Sequence, residues 1–316
     1  MPGLLKGIAV ISAAIVAGLQ AASAEDLGPT LQKIRDSGAI TIGYRGASIP
    51  MSYTDAQAQP AGFALDLCAL VAGKVKQTLG LPDLKIDYRP VAAADAPALL
   101  QNGTIAIDCG ATAVSPELSQ EAAFSNPIFV SELRWIVPQR LRVEREGRRR
   151  TRIEIISPSS TADLKGKPVA LTRGSAVTSL VLTISSDRSL GLSILEAKDN
   201  AESFKLVETG KASAFLADSV LLVSLKANAK NPGAFAFLGE AYPGASYALM
   251  LGKDDRTFKN LADAALGEAM RSGEYAKLYA KWFESPIPPK NVNLAYPMPE
   301  ALKALVKAAA DRPAAQ

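Results

Sequence analysis

The chain predicts an α/β fold built on mostly parallel sheet, and three observations carry that expectation. Short apolar runs of strand length alternate with longer stretches of helical period along most of its 316 residues. Strands run into glycine or other small residues, as at Cys109-Gly110 and Arg173-Gly174. An aromatic share of only 6%, with 20 prolines, suits a sheet with many connections.

Each element follows from its pattern. Leu27, Leu31 and Ile34 share one face of an amphipathic helix over 25–37, and Gly38 stops it. Residues 39–45 (AITIGYR) alternate as a strand that delivers Arg45 at its carboxyl end. After a loop, 62–79 read as a long helix, 85–89 as a strand and 92–101 as a helix. The stretch 101–129 opens on the Asn102-Gly103 turn, runs through the apolar strand Ile105 to Ile107 and stops at Cys109-Gly110. Ser115-Pro116-Glu117 then reads as a helix start, with proline tolerated in the first turn and an acid favoured at the positive dipole end. The order βαβαβ argues for parallel pairing. A strand ending in small residues beside a helix start is where α/β sheets bind small molecules, because N–H groups converge there. The same residues also suit an ordinary βα connection.

Residues 131–137 (SELRWIV) read as an extended crossing segment. A second α/β unit follows, with a strand at 168–172, the loop Arg173-Gly174-Ser175, and a helix. Next come a strand at 192–196, a helix at 200–208 and a strand over 212–216 that ends at Asp218. Residues 247–251 are extended, 254–272 and 274–283 are helical, and the tail from Ser285 is rich in proline. Two such units are expected to face one cleft.

Composition narrows the function classes. Residues 1–24 read as a secretory signal peptide, with Lys6 in the n-region, an apolar run from Gly7 to Leu19, and cleavage after Ala22-Ser23-Ala24. An uncleaved anchor is the alternative, but the run is short, and no later stretch approaches the roughly 18 apolar residues of a membrane span. Past residue 24, 34 basic residues face 31 acidic ones, a balance that points to no nucleic acid or other polyanionic partner. Histidine is absent, which removes the usual general base and the commonest metal ligand, and neither metal nor cofactor is expected. Cys68 on the long helix and Cys109 at a strand end form either a disulfide, with a loop-closure effect of about 4 kcal/mol, or two buried thiols. The run RLRVEREGRRRTR (140–152) is either a solvated, mobile insertion or a contact for anionic headgroups or an acidic partner.

Six fragments, in order, are similar to one family. They are IGYRGASIPMSY (42–53), LLQNGTIAIDCGAT (99–112), AAFSNPIF (122–129), DLKGKPVALTRGS (163–175), AKDNAESFKLVETGKASAFLAD (197–218) and RSGEYAKLYAKWFESPIPPKNVNL (271–294). The chain resembles the periplasmic solute-binding proteins of polar amino acid ABC transporters (bacterial solute-binding protein family 3), most of all the glutamate/aspartate-binding branch. The resemblance implies a type II periplasmic-binding-protein clamshell, each lobe a mostly parallel sheet flanked by helices, with two crossing strands at the hinge. Lobe one would hold 25–130 plus 250–316 and lobe two 131–249, with a basic insertion at 140–157. It also implies a monomer that closes on one solute and delivers it to a membrane ABC permease.

The resemblance carries over to the ligand site residue by residue. Arg45 matches the arginine that pairs with a ligand's side-chain acid, and Asp218 the aspartate that takes its ammonium. Gly174 and Ser175 match the glycine and hydroxyl residue at a helix start, and Thr112 is retained. Other positions depart. The family's CGSTT is Cys109-Gly110-Ala111-Thr112-Ala113, and the arginine that forks the α-carboxylate falls at Leu118. A serine and a second arginine fall near Ala93 and Ala96, and a histidine is replaced by Asn200. Bidentate arginine–carboxylate pairs are strong polar contacts, and about 1.4 kcal/mol is tenfold in affinity. Glutamate is therefore expected to bind weakly or to be held differently. Arg173, ahead of Gly174, is either a compensating anion contact or an exposed loop residue. Two other functions fit the same pattern. One is a receptor-like protein that has lost amino-acid binding and serves a partner or sensory role. The other is a dehydratase or lyase, with Asp218, Glu117 or Glu132 as its acid or base.

Overall fold

Eight strands lie side by side in one continuous sheet: β1 (Ala39–Tyr44), β2 (Lys85–Pro90), β3 (Ile107–Ala113), β4 (Phe129–Pro138), β5 (Pro168–Thr172), β6 (Ser193–Ala197), β7 (Ala214–Asp218) and β8 (Phe235–Leu251). Their spatial order is β6-β5-β7-β4-β8-β3-β1-β2, and the short strand Ala123–Phe124 adds a ninth beside β8. The computed structural model describes residues 27–311 except 140, 147–149, 156 and 176. The signal-peptide reading at 1–24 lies outside the described residues. Among them, no helix is long and apolar enough to cross a membrane.

Pairing divides this sheet into two parallel triplets. β1 pairs in parallel with β2 and β3, and β5 with β6 and β7. Between them β4 and β8 pair with each other and with their outer neighbours in antiparallel register. The two triplets are thus the sheets of two lobes, and β4 and β8 are the strands that cross between them.

Side-chain periodicity explains the layers. The longer helices are α1 (Gly28–Ser37), α2 (Phe63–Leu79), α3 (Val177–Asp187), α4 (Asn200–Glu208), α5 (Ser219–Ala227), α6 (Arg256–Ser272), α7 (Glu274–Phe283) and α8 (Glu300–Ala310), and a short one spans Ala96–Gln101. In α2, Phe63, Leu67, Val71 and Val75 recur at four-residue spacing and are all buried, forming the stripe that packs on the lobe-one sheet. Phe63, Phe129, Tyr275, Tyr279 and Phe283 gather there with ring centroids 4.4 to 6.4 Å apart. Gly62 makes the entry to α2 feasible, since its φ is +143° and a Cβ would come within 2.3 Å of the Met51 carbonyl oxygen. In lobe two, Trp135, Val137, Val169, Leu171 and Leu216 join one core cluster while Ile136, Ala170 and Phe215 join another. Successive residues feed opposite faces, as expected of a sheet covered on both sides. α5 reaches across, with Val220 and Val223 buried in the lobe-one core and Ser219 Oγ accepting a bond from the Tyr296 hydroxyl at 2.7 Å.

Several elements differ from expectation. The strand placed at Ile105–Ile107 begins at Ile107 and continues to Ala113, because Thr112 and Ala113 resume pairing with β8 beyond the small residues. The helix start at Ser115-Pro116-Glu117 yields a single turn, Leu118–Glu121. Within the basic run stands an antiparallel strand pair, Leu141–Glu146 with Arg150–Ile155. Its register sets Arg142 opposite Glu154, Glu144 opposite Arg152 and Glu146 opposite Arg150, so residues of opposite charge stand across from each other. Helix α5 and the tail helix α8 follow from no signal read above; α8 buries Leu302 against lobe one.

Candidate functional site

The carboxyl ends of the parallel strands converge on the gap between the lobes. β1 delivers Arg45, β7 ends at Asp218, and β3 carries the segment from Asp108 to Ala113. A cavity of about 350 Å³ opens here. One wall holds Ala47, Ser48, Ile49, Met51, Gly110 and Ala111, and the other holds Asp218, Val220, Leu221, Ser224 and Tyr247.

Asp218 is positioned by its strand end and by two donors. Its Oδ1 accepts the Val220 amide at 3.0 Å, capping α5, and its Oδ2 accepts the Tyr247 hydroxyl at 2.9 Å. A carboxylate has about four lone-pair sites, so further donors can still reach it. Burial and the neighbouring Asp218 charge push the Tyr247 phenol well above its ordinary value, so Tyr247 remains a donor.

Gly110 and Ala111 reach the cavity through a bulge. Ala248 pairs with Thr112 and Met250 with Asp108, so three residues of β3, Cys109 to Ala111, face Leu249 alone. Ala111 takes a left-handed φ of 50°, uncommon for a residue with a Cβ. Cys109 is joined to Cys68 by a disulfide, which anchors the bulge to α2.

Arg45 lies behind this bulge, over Gly110. A Cβ on Gly110 would stand 2.5 Å from Arg45 Cζ, so a larger residue there would have to displace the guanidinium. The guanidinium forks Asp108, with Nη1 donating to Oδ1 at 2.7 Å and Nη2 to Oδ2 at 2.8 Å. Nη1 also donates to the Val91 carbonyl and Nη2 to Thr112 Oγ1, each at 3.2 Å. Arg45 is 11% exposed and Asp108 is fully buried. Burial raises the Asp108 carboxyl above its ordinary value, and the Arg45 guanidinium pulls against that.

The other lobe-two residues singled out from sequence, Arg173 to Ser175 and Asn200, sit apart from the cavity lining. Arg173 is 73% exposed and pairs with Glu196 on the neighbouring strand at 3.6 Å. Gly174 turns the chain in the open, and Ser175 Oγ accepts the Val177 amide at the start of α3. Asn200 accepts a bond from Thr172 Oγ1 at 2.7 Å. Leu118, at the place of the family's arginine, packs on the small core around Val91, Leu100 and Met250. The cavity therefore brings together Ala111 and Asp218 of the sequence-predicted set, with Arg45 and Thr112 just behind its wall. Sequence reading missed Tyr247 and Asp108; the signal for Asp108 was a lone acid inside an apolar strand run.

Two α/β lobes with a carboxylate-bearing cleft between them and two crossing strands define a clamshell receptor. The chain belongs to the bacterial extracellular solute-binding proteins, family 3, whose model matches residues 40–285. It is 37% identical to the L-glutamate/L-aspartate-binding protein of Pseudomonas aeruginosa over 97% of this chain and 98% of that protein. It is also 37% identical to a glutamate/aspartate import solute-binding protein of Salmonella typhimurium, over 95% and 97% of the two chains. Among solved structures, substrate-binding domain 2 of Lactococcus lactis GlnP, in an open conformation, shares the fold with a TM-score of 0.62 at 18% identity, over 79% of this chain and 97% of that one. An ancestral cationic amino acid solute-binding protein does so with a TM-score of 0.59 at 23% identity, over 80% and 99%. The family is one of binding and transport, and this member is a solute-binding protein and not an enzyme.

Proposed function

We propose that this protein is the periplasmic receptor of an amino acid ABC importer, which closes its lobes on one amino acid and presents it to a membrane permease. Residues 25–130 and 250–316 would form lobe one and 131–249 lobe two. The observation that carries this reading is Asp218, a carboxylate at a strand end facing Gly110 and Ala111 across the cleft, with lone pairs left for an ammonium. A cavity of about 350 Å³ suits a free amino acid. The protein would act as a monomer, with export directed by residues 1–24.

Thermal melting across the amino acids and small organic acids tests the reading. A ligand at 100 times its dissociation constant is expected to add about 2.7 kcal/mol. Asp218→Asn, which removes the charge opposing the ammonium, should abolish the shift. A folded protein that shifts with organic acids lacking an amine, and does so equally after Asp218→Asn, would show that the ammonium contact is absent.

A further inference from the structure

Asp108 is fully buried at the back of the cleft wall, and the receptor reading does not use it. Every group around it donates: two Arg45 nitrogens, the Thr112 hydroxyl and the Gly110 amide. Burial pushes this carboxyl up, but the bidentate fork to an always-charged guanidinium favours its ionised form, so the pair cancels the charge of Arg45 where it stands. The guanidinium is thus fastened within lobe one by Asp108, Val91 and Thr112.

This changes what the cleft can hold. A ligand carboxylate approaching Arg45 meets an ion pair with no net charge. Drawing Arg45 away would leave Asp108 buried without its cation, a costly state. Among the described residues lining the cavity, Asp218 is the only charged side chain, and Ile49, Met51, Val220 and Leu221 make much of the rest apolar. A zwitterion with an uncharged side chain brings no net charge to that wall. Glutamate or aspartate brings one extra negative charge to a cavity whose fixed charge is already negative.

We propose that Asp108 is a specificity-determining residue: by neutralising Arg45, it makes the cleft select amino acids with uncharged side chains over glutamate and aspartate. This rests on the amino-acid-receptor reading and names its ligand class. It sets the protein apart from the relatives whose names specify glutamate and aspartate.

Calorimetric titration of protein recovered from the periplasm, with glutamine, asparagine, leucine, glutamate and aspartate, tests it. At least one neutral amino acid is expected to bind about tenfold or more tighter than glutamate. Asp108→Asn, which frees the Arg45 charge, is expected to move that ratio about tenfold toward glutamate. Wild-type protein that prefers glutamate, or a ratio that Asp108→Asn does not move, overturns the proposal. The double substitution Arg45→Met with Asp108→Leu removes the pair without stranding a charge, and covers the case in which the single variant does not fold. With no Arg45 charge left to free, it should keep the wild-type preference for a neutral amino acid over glutamate, whatever happens to absolute affinity. A folded double variant that prefers glutamate also overturns the proposal. Failure of folded wild-type protein to bind any amino acid overturns instead the receptor reading of the preceding subsection.

Discussion

The Tyr247 hydroxyl stands 2.9 Å from Asp218 Oδ2, and that bond joins a crossing strand to the carboxylate at the cleft. In β8, Tyr247 pairs with Phe129 of β4 on one side and Ala113 of β3 on the other. One residue therefore touches the hinge pair, the edge of the bulge and the carboxylate assigned to the ligand. A ligand held by Asp218 is mechanically connected to the strands about which the lobes would close.

Tyr247→Phe isolates that bond. The ring stays, and Asp218 loses one charge-assisted donor, an interaction worth about 1.5–3 kcal/mol. Amino-acid affinity should fall about tenfold by calorimetry, with Asp218→Asn falling much further. The Tyr247 phenol titrates well above its ordinary value, so it contributes no pH dependence to binding through the neutral range. An affinity unchanged in Tyr247→Phe would mean that Asp218 is oriented by the Val220 amide alone.

Ala111 carries backbone strain at the cleft mouth. Its φ of 50° costs an L-residue roughly 1–2 kcal/mol, and glycine escapes that cost while losing about 0.4–1 kcal/mol through its freer unfolded chain. Ala111→Gly should therefore be neutral or stabilising by up to about 1 kcal/mol. Ala111→Val should destabilise by more than about 1 kcal/mol, since a β-branched side chain tolerates this region poorly. Urea unfolding separates the two variants: Ala111→Val loses stability and Ala111→Gly does not. Destabilisation by Ala111→Gly as large as that by Ala111→Val would show that Ala111 is an ordinary strand residue.

Most of the fold was legible because amphipathic period and glycine stops act locally. Residues 200–208 and 274–283 were read with the bounds the structure shows, as each has a clean apolar stripe and a clear start or stop. The strand pair 141–146 and 150–155 was missed because net charge dominated its reading, while the alternation of Leu141, Val143, Ile153 and Ile155 went unweighed. β3 was cut short for a similar reason: Gly110 and Ala111 look like a strand stop, and only pairing with β8 makes them a bulge. At the site, Asp218 was legible from its place at a strand end. The state of Arg45 was not, because its pairing with Asp108 spans 63 residues and rests on where two strand ends meet. Arg173 shows the converse: next to a glycine loop it resembles an anion contact, yet its neighbour across the strand is Glu196.

The Cys68–Cys109 disulfide closes a separation of 41 residues between α2 and the bulge. Loop-closure entropy gives about 4 kcal/mol for a loop of that size. Replacing both cysteines with alanine should lower the melting temperature by on the order of 10 °C. Binding should weaken less than stability, because the bulge is also held by β8 and by the Arg45–Asp108 pair. Calorimetric melting of the double variant, with and without reductant on the parent, checks this. A parent protein indifferent to reductant under conditions that free both thiols would sink the idea.

Asp163 provides a pH-dependent anchor at the base of lobe two. Its Oδ2 accepts the Ser159 and Ser160 amides at 2.8 and 3.0 Å and both serine hydroxyls at 2.9 and 3.3 Å. The Ser159 amide and hydroxyl are the main reason its carboxyl is lowered to about 2 from 3.8. A carboxyl depressed in the folded state contributes stability that is fully present above its unfolded value and is lost as pH falls through the folded one. Asp163→Asn should therefore lower the melting temperature at neutral pH, and the gap to the parent should close between about pH 4 and pH 2. The turn that Asp163 caps ends at the buried Leu164 and begins at Thr161, whose hydroxyl donates to Glu240 Oε2 at 2.7 Å at the outer end of β8. Loosening it should register in lobe two first, seen as earlier hydrogen exchange over β5 than over β1. A melting gap as wide at pH 2.5 as at pH 7 would place the stabilisation in packing around the turn and not in the carboxylate.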